Sequence, residues 1–291
     1  MLDKTLNKAS FALSLMKVFA MFLSRLLLVA SCALPLTPAA AHEYWIEPQT
    51  YQVAPGDTIQ ADFKNGQNFV GTTLAYFDRS STRFETVFDG EVNPVAARTG
   101  DAPALQLDAL NADGLLVVVY ETAPSTLTYK EWEKFLKFAT HKDFPNAATD
   151  HIAKGWSQEK FKESYTRHAK ALIGVGSGAG ADAALGLATE FVALSNPYAA
   201  GFDGQMSVAL RYQDQPRPDA QIEVFDRSPD DSVAITLHRT DAMGEATIPV
   251  TPGHDYLFDA VVLRPAPDAA DDPDAPVWET LWAALTFAVP Q

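Results

Sequence analysis

Short β-type segments separated by turn signals limit what this chain can fold into more than any other feature. Residues 115–120 (Leu-Leu-Val-Val-Val-Tyr) are apolar throughout and follow the turn sequence Asn-Ala-Asp-Gly at 111–114, so they predict a strand buried on both faces. Upstream, residues 58–63 alternate weakly, and Asn65-Gly66 predicts a hairpin turn. Several short strands at this spacing favour a β-sandwich.

The C-terminal third repeats this pattern. In residues 206–212, large apolar side chains alternate with smaller or polar ones, as in a half-buried strand. Further β and turn segments are expected at 222–225, 234–239, 240–245 (a turn), 246–250, 256–263 and 278–287. The predicted fold class is therefore mainly β, with a second sandwich in this region.

The hydrophobic period changes after residue 125. Apolar residues at helical spacing predict one helix over 130–139 and a second from Ser157, a good N-cap, to Ile173, where Gly174 ends it. His168 falls on the apolar stripe of the second helix, so we expect a hydrogen-bonded packing histidine there. These helices would form an insert between the two sandwiches.

The glycine-rich segment at 174–180 does not have the spacing of a nucleotide-binding loop, and no Gly-Lys-Ser/Thr sequence is present. We therefore interpret it as a flexible linker. The predicted domains are a signal peptide (1–41), an N-terminal β-sandwich (42–125), a helical insert with the Gly-rich linker (126–185) and a C-terminal β-sandwich (186–291).

The first 41 residues have the parts of a secretory signal peptide. An apolar run at 26–30 follows Arg25, and residues 37–41 end in Ala-Ala-Ala. Cleavage after Ala41 predicts a periplasmic protein without membrane insertion, because no second apolar stretch reaches the ~20 residues that a spanning helix needs. Cleavage before Cys32 would instead give a lipoprotein, and translation from Met16 or Met21 would shorten the leader.

Charge excludes some partners. The chain has 22 basic and 37 acidic residues, of which four basic residues and one acidic residue lie in the first 41, so residues 42–291 carry a net charge of −18. Such a chain is a poor partner for nucleic acid, whose phosphates require Lys and Arg. It is also a poor partner for anionic membrane surfaces, and it attracts cations.

His42 is the leading metal-ligand candidate. After cleavage its α-amino group and imidazole could chelate one divalent ion together, and both nitrogens suit Ni²⁺, Co²⁺ or Cu²⁺. His238, in a predicted strand, and His254, in the turn at 252–255, are the candidate second ligands. Cys32 is the only cysteine, so the processed chain has no thiolate site.

Other chemistry-bearing residues favour plain structural roles. His141 and His151 lack the i, i+4 spacing that places two imidazoles on one helix face. The acidic residues at 268–274 do not match an EF-hand, and Trp278 and Trp282 are expected to be core residues rather than a sugar platform. No G-x-S-x-G or H-E-x-x-H sequence is present, so a non-catalytic protein is expected.

Five segments in order resemble a known family: 42–48 (His-Glu-Tyr-Trp-Ile-Glu-Pro), 65–69 (Asn-Gly-Gln-Asn-Phe), 165–172 (Tyr-Thr-Arg-His-Ala-Lys-Ala-Leu), the turn at 240–244, and 278–287 (Trp-Glu-Thr-Leu-Trp-Ala-Ala-Leu-Thr-Phe). Together they resemble domain of unknown function 4198, a family of exported bacterial proteins. The match covers nearly the whole processed chain.

This resemblance implies β-sandwich architecture of immunoglobulin-like or transthyretin-like type. For the members associated with nickel or cobalt uptake transporters, it also implies binding or delivery of Ni²⁺ or Co²⁺. His42 alone carries over as a ligand, because this chain lacks the histidine that many relatives have in the strand at 260–264. The C-terminal region also resembles transthyretin-like or carboxypeptidase-regulatory-like modules, which are commonly interaction domains.

Three functions are therefore expected as alternatives. The first is a soluble periplasmic accessory protein that binds a divalent transition metal (Ni, Co or Cu) for uptake or trafficking, with an inner-membrane metal-uptake transporter as its partner. The second is a non-metal interaction or carrier module. The third is a copper enzyme with an N-terminal histidine brace, which would need a second histidine beside His42.

Overall fold

The computed structural model describes residues 42–291, except residues 268, 270, 271 and 273. The predicted signal peptide, the lipoprotein alternative at Cys32 and the alternative starts all lie outside these residues, as do parts of the acidic loop. Within the described part, no helix is both long and apolar enough to span a membrane.

The described residues contain eighteen strands, two helices and one 3-10 turn at Asp78–Ser80. In chain order they are β1 (Glu43–Pro48), β2 (Gln52–Val53), β3 (Ile59–Gln67), β4 (Val70–Leu74), β5 (Ser81–Phe88), β6 (Glu91–Pro94), β7 (Leu105–Leu107), β8 (Gly114–Thr122), β9 (Ser125–Tyr129), α1 (Trp132–His141), α2 (Ala147–Ala153), β10 (Phe161–Val175), β11 (Thr189–Ala193), β12 (Gln205–Tyr212), β13 (Gln215–Pro216), β14 (Gln221–Arg227), β15 (Val233–Arg239), β16 (Glu245–Pro249), β17 (Asp255–Pro265) and β18 (Trp278–Ala288).

Three sheets form three layers. The front sheet contains β1, β3, β4 and β7, and the back sheet contains β11, β12, β13 and β16. Between them lies a ten-stranded central sheet in the order β15-β14-β17-β18-β10-β8-β5-β6, with β2 and β9 also paired to β10. One core cluster joins the front sheet to the central sheet, and another joins the back sheet to its opposite face. The predicted mainly β, sandwich-type fold class is confirmed.

Strand β8 shows why the central sheet lies in the middle. Leu116, Val118 and Tyr120 belong to the core on the front side. Leu115 and Val117 belong to the core on the back side. Alternation along a strand sends successive side chains to opposite faces, so an all-apolar strand needs cover on both. Burying each such side chain contributes roughly 1.5–3 kcal/mol, and the sequence prediction of a doubly buried strand is confirmed.

The helix predicted from Ser157 to Ile173 is wrong. Residues 161–175 form β10, which pairs in parallel with β18 and antiparallel with β8 and β9. The segment contains Lys, Ala, Glu and Leu, which favour helices, but every residue from 166 to 175 is buried. Tertiary burial on both faces therefore overrides the local helix preference.

The first hairpin turns three residues later than Asn65-Gly66. Its turn residues are Asn68 and Phe69, both with positive φ (56° and 60°), between the paired residues Gln67 and Val70. Gly66 instead lies inside β3, where an added Cβ would lie 2.0 Å from the carbonyl oxygen of Val70. The glycine is needed for close approach of the two strands rather than for the turn.

The helical segment covers one end of the central sheet. The first predicted helix, over 130–139, is confirmed as α1, and α2 follows it. Their apolar residues pack against a third core cluster that contains Phe161, Trp278 and Trp282. Both tryptophans are buried, at 3% and 2% exposure, so the expectation of core roles is confirmed. Strands from both sides of residue 186 share the central sheet, since β10 pairs with β18.

Candidate functional site

A buried ionic cluster lies where β1 begins. Glu43 is the first residue of β1 and directly follows His42, which is exposed. Lys142 follows the last residue of α1. Glu223 of β14 and Asp259 of β17 are paired directly opposite each other in the central sheet. We call these four residues, Glu43, Lys142, Glu223 and Asp259, the N-terminal cluster.

The ammonium group of Lys142 lies at the centre of this cluster. Its Nζ donates to Glu223 Oε2 at 2.6 Å and to Asp259 Oδ2 at 2.8 Å, and it lies 3.8 Å from Glu43 Oε1. It also lies 4.9 Å from the centre of the Trp282 ring. Four charged groups with almost no solvent access stabilise one another only because the cation contacts several acceptors at once.

One lysine does not neutralise three carboxylates, and the pKa values reflect this imbalance. Burial, reinforced by the charge of Asp259, raises the pKa of Glu43 to about 7 despite the opposing effect of Lys142. Burial also raises the pKa of Asp259. Glu223 differs: burial raises its pKa, but the hydrogen bond from His141 and the charge of Lys142 together lower it to about 2. Carboxylates outnumber the lysine in this cluster, so uptake of a proton or binding of a second cation would reduce the repulsion among them.

His141 stands at the edge of the cluster. Its side chain is 54% exposed, and its Nε2 lies 3.1 Å from Glu223 Oε1. The hydrogen bond to Glu223 raises the pKa of His141. When Nε2 donates this bond, Nδ1 is left with the lone pair, and a carboxylate that orients a histidine in this way is a common feature of metal sites.

Glu43 offers a further donor atom. Its Oε2 is buried and has no hydrogen-bond partner among the described residues. Since buried polar atoms are rarely left unpaired, this oxygen is available to a cation in a way that the other cluster carboxylates are not. The start of β1 and the end of α1 therefore bring Glu43 and His141 to the cluster, and His42 directly precedes Glu43 in the chain.

His238 and His254 are not brought there. His238 is paired opposite Ile222, whose side chain packs in the core behind the central sheet, and its Nε2 lies 3.0 Å from Thr236 Oγ1. His254 Nδ1 lies 2.6 Å from Asp226 Oδ1. Ile222 and Asp226 are four residues apart in β14, or roughly 13 Å at ~3.3 Å per residue.

Directly opposed residues share a face of a sheet, so His238 lies on the face away from Glu223. The three histidines predicted as ligands thus do not form one site. Across the described residues of 42–291, no group of three or more His, Cys, Asp or Glu side chains is arranged to hold a metal ion. Metal binding at His42 stays a prediction.

The remaining histidines are buried and hydrogen-bonded. His151 is fully buried; its Nδ1 accepts from Trp278 Nε1 at 2.9 Å, and its Nε2 lies 3.0 Å from the Ser157 carbonyl oxygen. His168 lies in a strand rather than a helix, but it is 2% exposed and its Nδ1 lies 3.0 Å from the carbonyl oxygen of Trp282. Burial lowers its pKa to about 4. The expectation of a packing histidine is confirmed.

Comparison with known protein families gives one match that covers most of the chain. The model of a domain of unknown function (DUF4198) matches residues 39–264. The chain belongs to the DUF4198 family. No curated protein matches its sequence. The predicted family is thus confirmed, and the match includes the start of β1, α1 and the strands that carry the N-terminal cluster.

Solved structures align with the DUF4198 chain only loosely. The D0-D1 domain of intimin is 12% identical and covers 84% of this chain and 97% of its own, with a TM-score of 0.19. A tetra-tandem repeat of a large adhesion protein is 12% identical and covers 86% and 50%, with a TM-score of 0.21. A two-domain fibronectin type III segment of chicken tenascin is 13% identical and covers 76% and 87%, with a TM-score of 0.18. Scores this low carry no argument about function.

Lys142, Glu223 and Asp259 of this DUF4198 chain were not predicted from the sequence as site residues. Glu223 interrupts the apolar run Ile-Glu-Val-Phe at 222–225, and Asp259 interrupts Leu-Phe-Asp-Ala-Val at 257–261. An acid inside an otherwise apolar central strand is a detectable signal, because it requires a buried cation. Lys142, after the helix end, gives no such signal until the fold places it.

Proposed function

We propose that this protein binds one divalent transition metal ion at its processed N-terminus, with His42 as the primary ligand and His141 as the second imidazole donor. The observation that carries the proposal is the Glu223–His141 contact beside Glu43, the residue next to His42. Ni²⁺, Co²⁺ and Cu²⁺ are the ions that suit a site with several nitrogen donors.

The surroundings support a cation site in two ways. The unpaired Oε2 of Glu43 offers an oxygen donor, and Glu223 orients His141. The net charge of −18 over residues 42–291 raises the local concentration of cations around the whole molecule. Lys142 occupies the centre of the cluster, so an added ion would bind at its His42–His141 edge and leave the lysine in place.

The cellular role that follows is metal handling rather than catalysis. We propose a periplasmic accessory protein for metal uptake or trafficking, which passes its ion to an inner-membrane uptake transporter. A site built from a chain terminus and a half-exposed histidine suits transfer, because both ligands are accessible from solvent. An ion held there can be taken over by ligands of the transporter without unfolding of either sandwich.

Native mass spectrometry on protein recovered from the exported fraction tests this proposal. One spectrum gives both the N-terminal residue and the number of ions retained after addition of Ni²⁺, Co²⁺ or Cu²⁺. We expect a chain that begins at His42 and holds one ion. His42→Ala, made with cleavage preserved, should lose it, and His141→Ala should weaken binding by at least about 10-fold.

His238→Ala and His254→Ala are the matched controls, since both histidines lie away from the N-terminal cluster. We expect them to bind metal like the unmodified protein. A correctly processed chain that retains no ion would overturn the proposal, and so would unchanged affinity in His42→Ala. Retention of Cu²⁺ alone would contradict a role in nickel or cobalt uptake and favour a copper site of the histidine-brace type.

A further inference from the structure

A cavity lies between the front and central sheets, and none of the ligands proposed for the metal ion lines it. Its volume is about 250 Å³. Aromatic rings and one guanidinium define its chemistry: Tyr44, Phe63, Tyr120, Tyr165, Phe77 and Arg167. At its rim, Leu74 and Phe77 are each 38% exposed, which is unusual for large apolar side chains and gives the cavity an apolar mouth.

Arg167 is the charged group of this cavity. It is 7% exposed, and its Nη1 has no hydrogen-bond partner among the described residues. Burial lowers its pKa. Its guanidinium lies 3.9 Å from the centre of the Trp282 ring, so the ring covers one face and leaves the in-plane N–H donors to point outward. A buried guanidinium with an unused donor is a strong site for an anion.

Three carboxylates act on Arg167 through their charge: Asp259, Glu163 and Glu43, and the first two are hydrogen-bonded to other groups. Glu163 accepts hydrogen bonds from Tyr129 at 3.0 Å and from Thr280 at 2.6 Å. Asp259 accepts from Lys142. Within the described part of the chain, no carboxylate oxygen lies within 4.0 Å of the guanidinium nitrogens of Arg167. Arg227, by contrast, is paired with two carboxylates and Arg264 with one. Arg167 therefore forms no direct ion pair among the described residues, and the charges of Asp259, Glu163 and Glu43 act on it only from a longer distance.

The aromatic walls of the cavity determine which chemical group a bound anion can carry. The rings of Phe63 and Tyr120 are 4.0 Å apart between centroids, and Tyr44 lies 5.8 Å from each. Such a cluster favours a flat apolar or aromatic group, which can pack edge-to-face or offset against it. One cation in an apolar cavity favours a single negative charge, since a second would remain unpaired.

We propose that this cavity binds a small aromatic monocarboxylate, with the carboxylate on Arg167 and the ring among Tyr44, Phe63 and Tyr120. Guanidinium and carboxylate match in a planar, two-bond geometry. The volume is below the roughly 300–1,000 Å³ of drug-sized sites, so the ligand is the size of one substituted ring. This site would make the protein a carrier of an organic acid in addition to any metal function.

Isothermal titration calorimetry without added metal tests the proposal with benzoate as the probe. We expect saturable one-to-one binding. Acetate, which lacks the ring, and benzyl alcohol, which lacks the charge, should each bind at least about 10-fold more weakly. Arg167→Gln should also weaken benzoate binding at least about 10-fold, and Arg167→Lys should restore only part of it, because lysine lacks the planar fork.

Arg264→Gln is the matched control. Arg264 is also placed over an aromatic ring, 6.0 Å from the Tyr212 centroid, but it is paired with Glu279 and does not line the cavity. It should bind benzoate like the unmodified protein. Urea unfolding of Arg167→Gln should show no loss of stability, since the change removes an unpaired buried charge; a variant that still folds gives an interpretable titration.

Three results would overturn the proposal. The first is absence of saturable benzoate binding by the unmodified protein up to about 10 mM. The second is equal benzoate affinity in the folded Arg167→Gln variant. The third is binding of inorganic phosphate that is tighter than that of benzoate, which would assign Arg167 to a polar anion. None of these depends on His42, so failure here leaves the metal proposal standing.

Discussion

Two buried lysines on opposite faces of the central sheet show how differently the same side chain can be used. Lys170 donates to Asp182 Oδ2 at 2.7 Å and to the carbonyl oxygens of Ala183 and Phe191, and it lies 3.9 Å from Glu190. Lys142 has three carboxylate neighbours, one of which is only half used.

The carboxylates around Lys170 also accept hydrogen bonds from backbone N–H groups. Asp182 also accepts from the backbone N–H groups of Ala183 and Ala193, and Glu190 accepts from Leu185 N–H. These bonds fix the loop after β10 against β11, which is a purely structural task. The N-terminal cluster keeps an unpaired carboxylate oxygen and a half-exposed histidine at its edge. Incomplete satisfaction, rather than burial of charge, is what distinguishes a candidate binding site from an internal brace.

Replacing Lys170 by Met should remove its bonds to Asp182, Ala183 and Phe191 and give the largest loss of stability. Asp182 and Glu190 would remain buried without their cation, which costs about 3–5 kcal/mol. Urea unfolding at about pH 7.5 measures the free energy of unfolding. The exposed Lys137→Met variant is the control and should change by less than about 0.5 kcal/mol. A loss below about 1 kcal/mol in Lys170→Met would show that Asp182 and Glu190 do not need the charge of Lys170.

Lys142→Met should cost less, about 2–3 kcal/mol in the same assay. The reason is that His141 still contacts Glu223, and the raised pKa of Glu43 allows that carboxyl group to take up a proton. A larger loss than that of Lys170→Met would reverse the order of the two clusters.

Glu163 tests how a buried carboxyl group responds to pH without a lysine. Burial raises its pKa from the ordinary 4.5 to about 7. Between these values the folded protein holds a proton that the unfolded chain releases, so stability falls as pH rises from about 4.5 to 7, by at most ~1.4 kcal/mol per pH unit.

Glu163→Gln should therefore flatten this part of the stability profile. Urea unfolding at about pH 5, 6 and 7 gives the slope for each protein. Glu43 contributes a fall of the same sign in both, so the difference between the two slopes reports Glu163. Parallel profiles would mean that Tyr129 and Thr280 hold the ionised carboxylate well enough to cancel the effect of burial.

The smallest effect is expected for His141→Ala. Its side chain is 54% exposed, and exposed ion pairs contribute about 0–1 kcal/mol, so stability should stay within about 0.5 kcal/mol. Thermal and urea unfolding measure this directly. A loss of about 2 kcal/mol would show that His141 stabilises the fold, and it would weaken the proposal that His141 is a ligand.

Single strands and helices could be predicted from local sequence patterns, but the position of each element in the fold could not. The apolar run at 115–120 and the amphipathic helix at 130–139 appear as predicted, because each pattern has one compatible burial state. The helix prediction for residues 157–173 was wrong because their apolar spacing suits a helix. The burial of both faces of β10 depends on sheets formed by distant segments, which this spacing does not reveal.

The candidate site divides in the same way. His42 could be chosen from its position after the cleavage motif. His141, the proposed second ligand, could not be chosen in this way, because its contact with Glu223 and the nearness of Glu43 to Lys142 join three separate elements. His238 and His254 had equally plausible local contexts, but register places them on the other face of the central sheet.

The position of β18 has a consequence for how the chain acquires its structure. β18 lies between β17 and β10, and it pairs in parallel with β10. In this pairing Trp278 lies opposite Glu163, which is 115 residues earlier in the sequence. Contacts this distant slow folding, because the intervening chain must be ordered before they form. Until residues 278–288 are in place, β10 and β17 have open edges that other chains can join. A newly made chain therefore needs shielding from its neighbours until its last strand arrives.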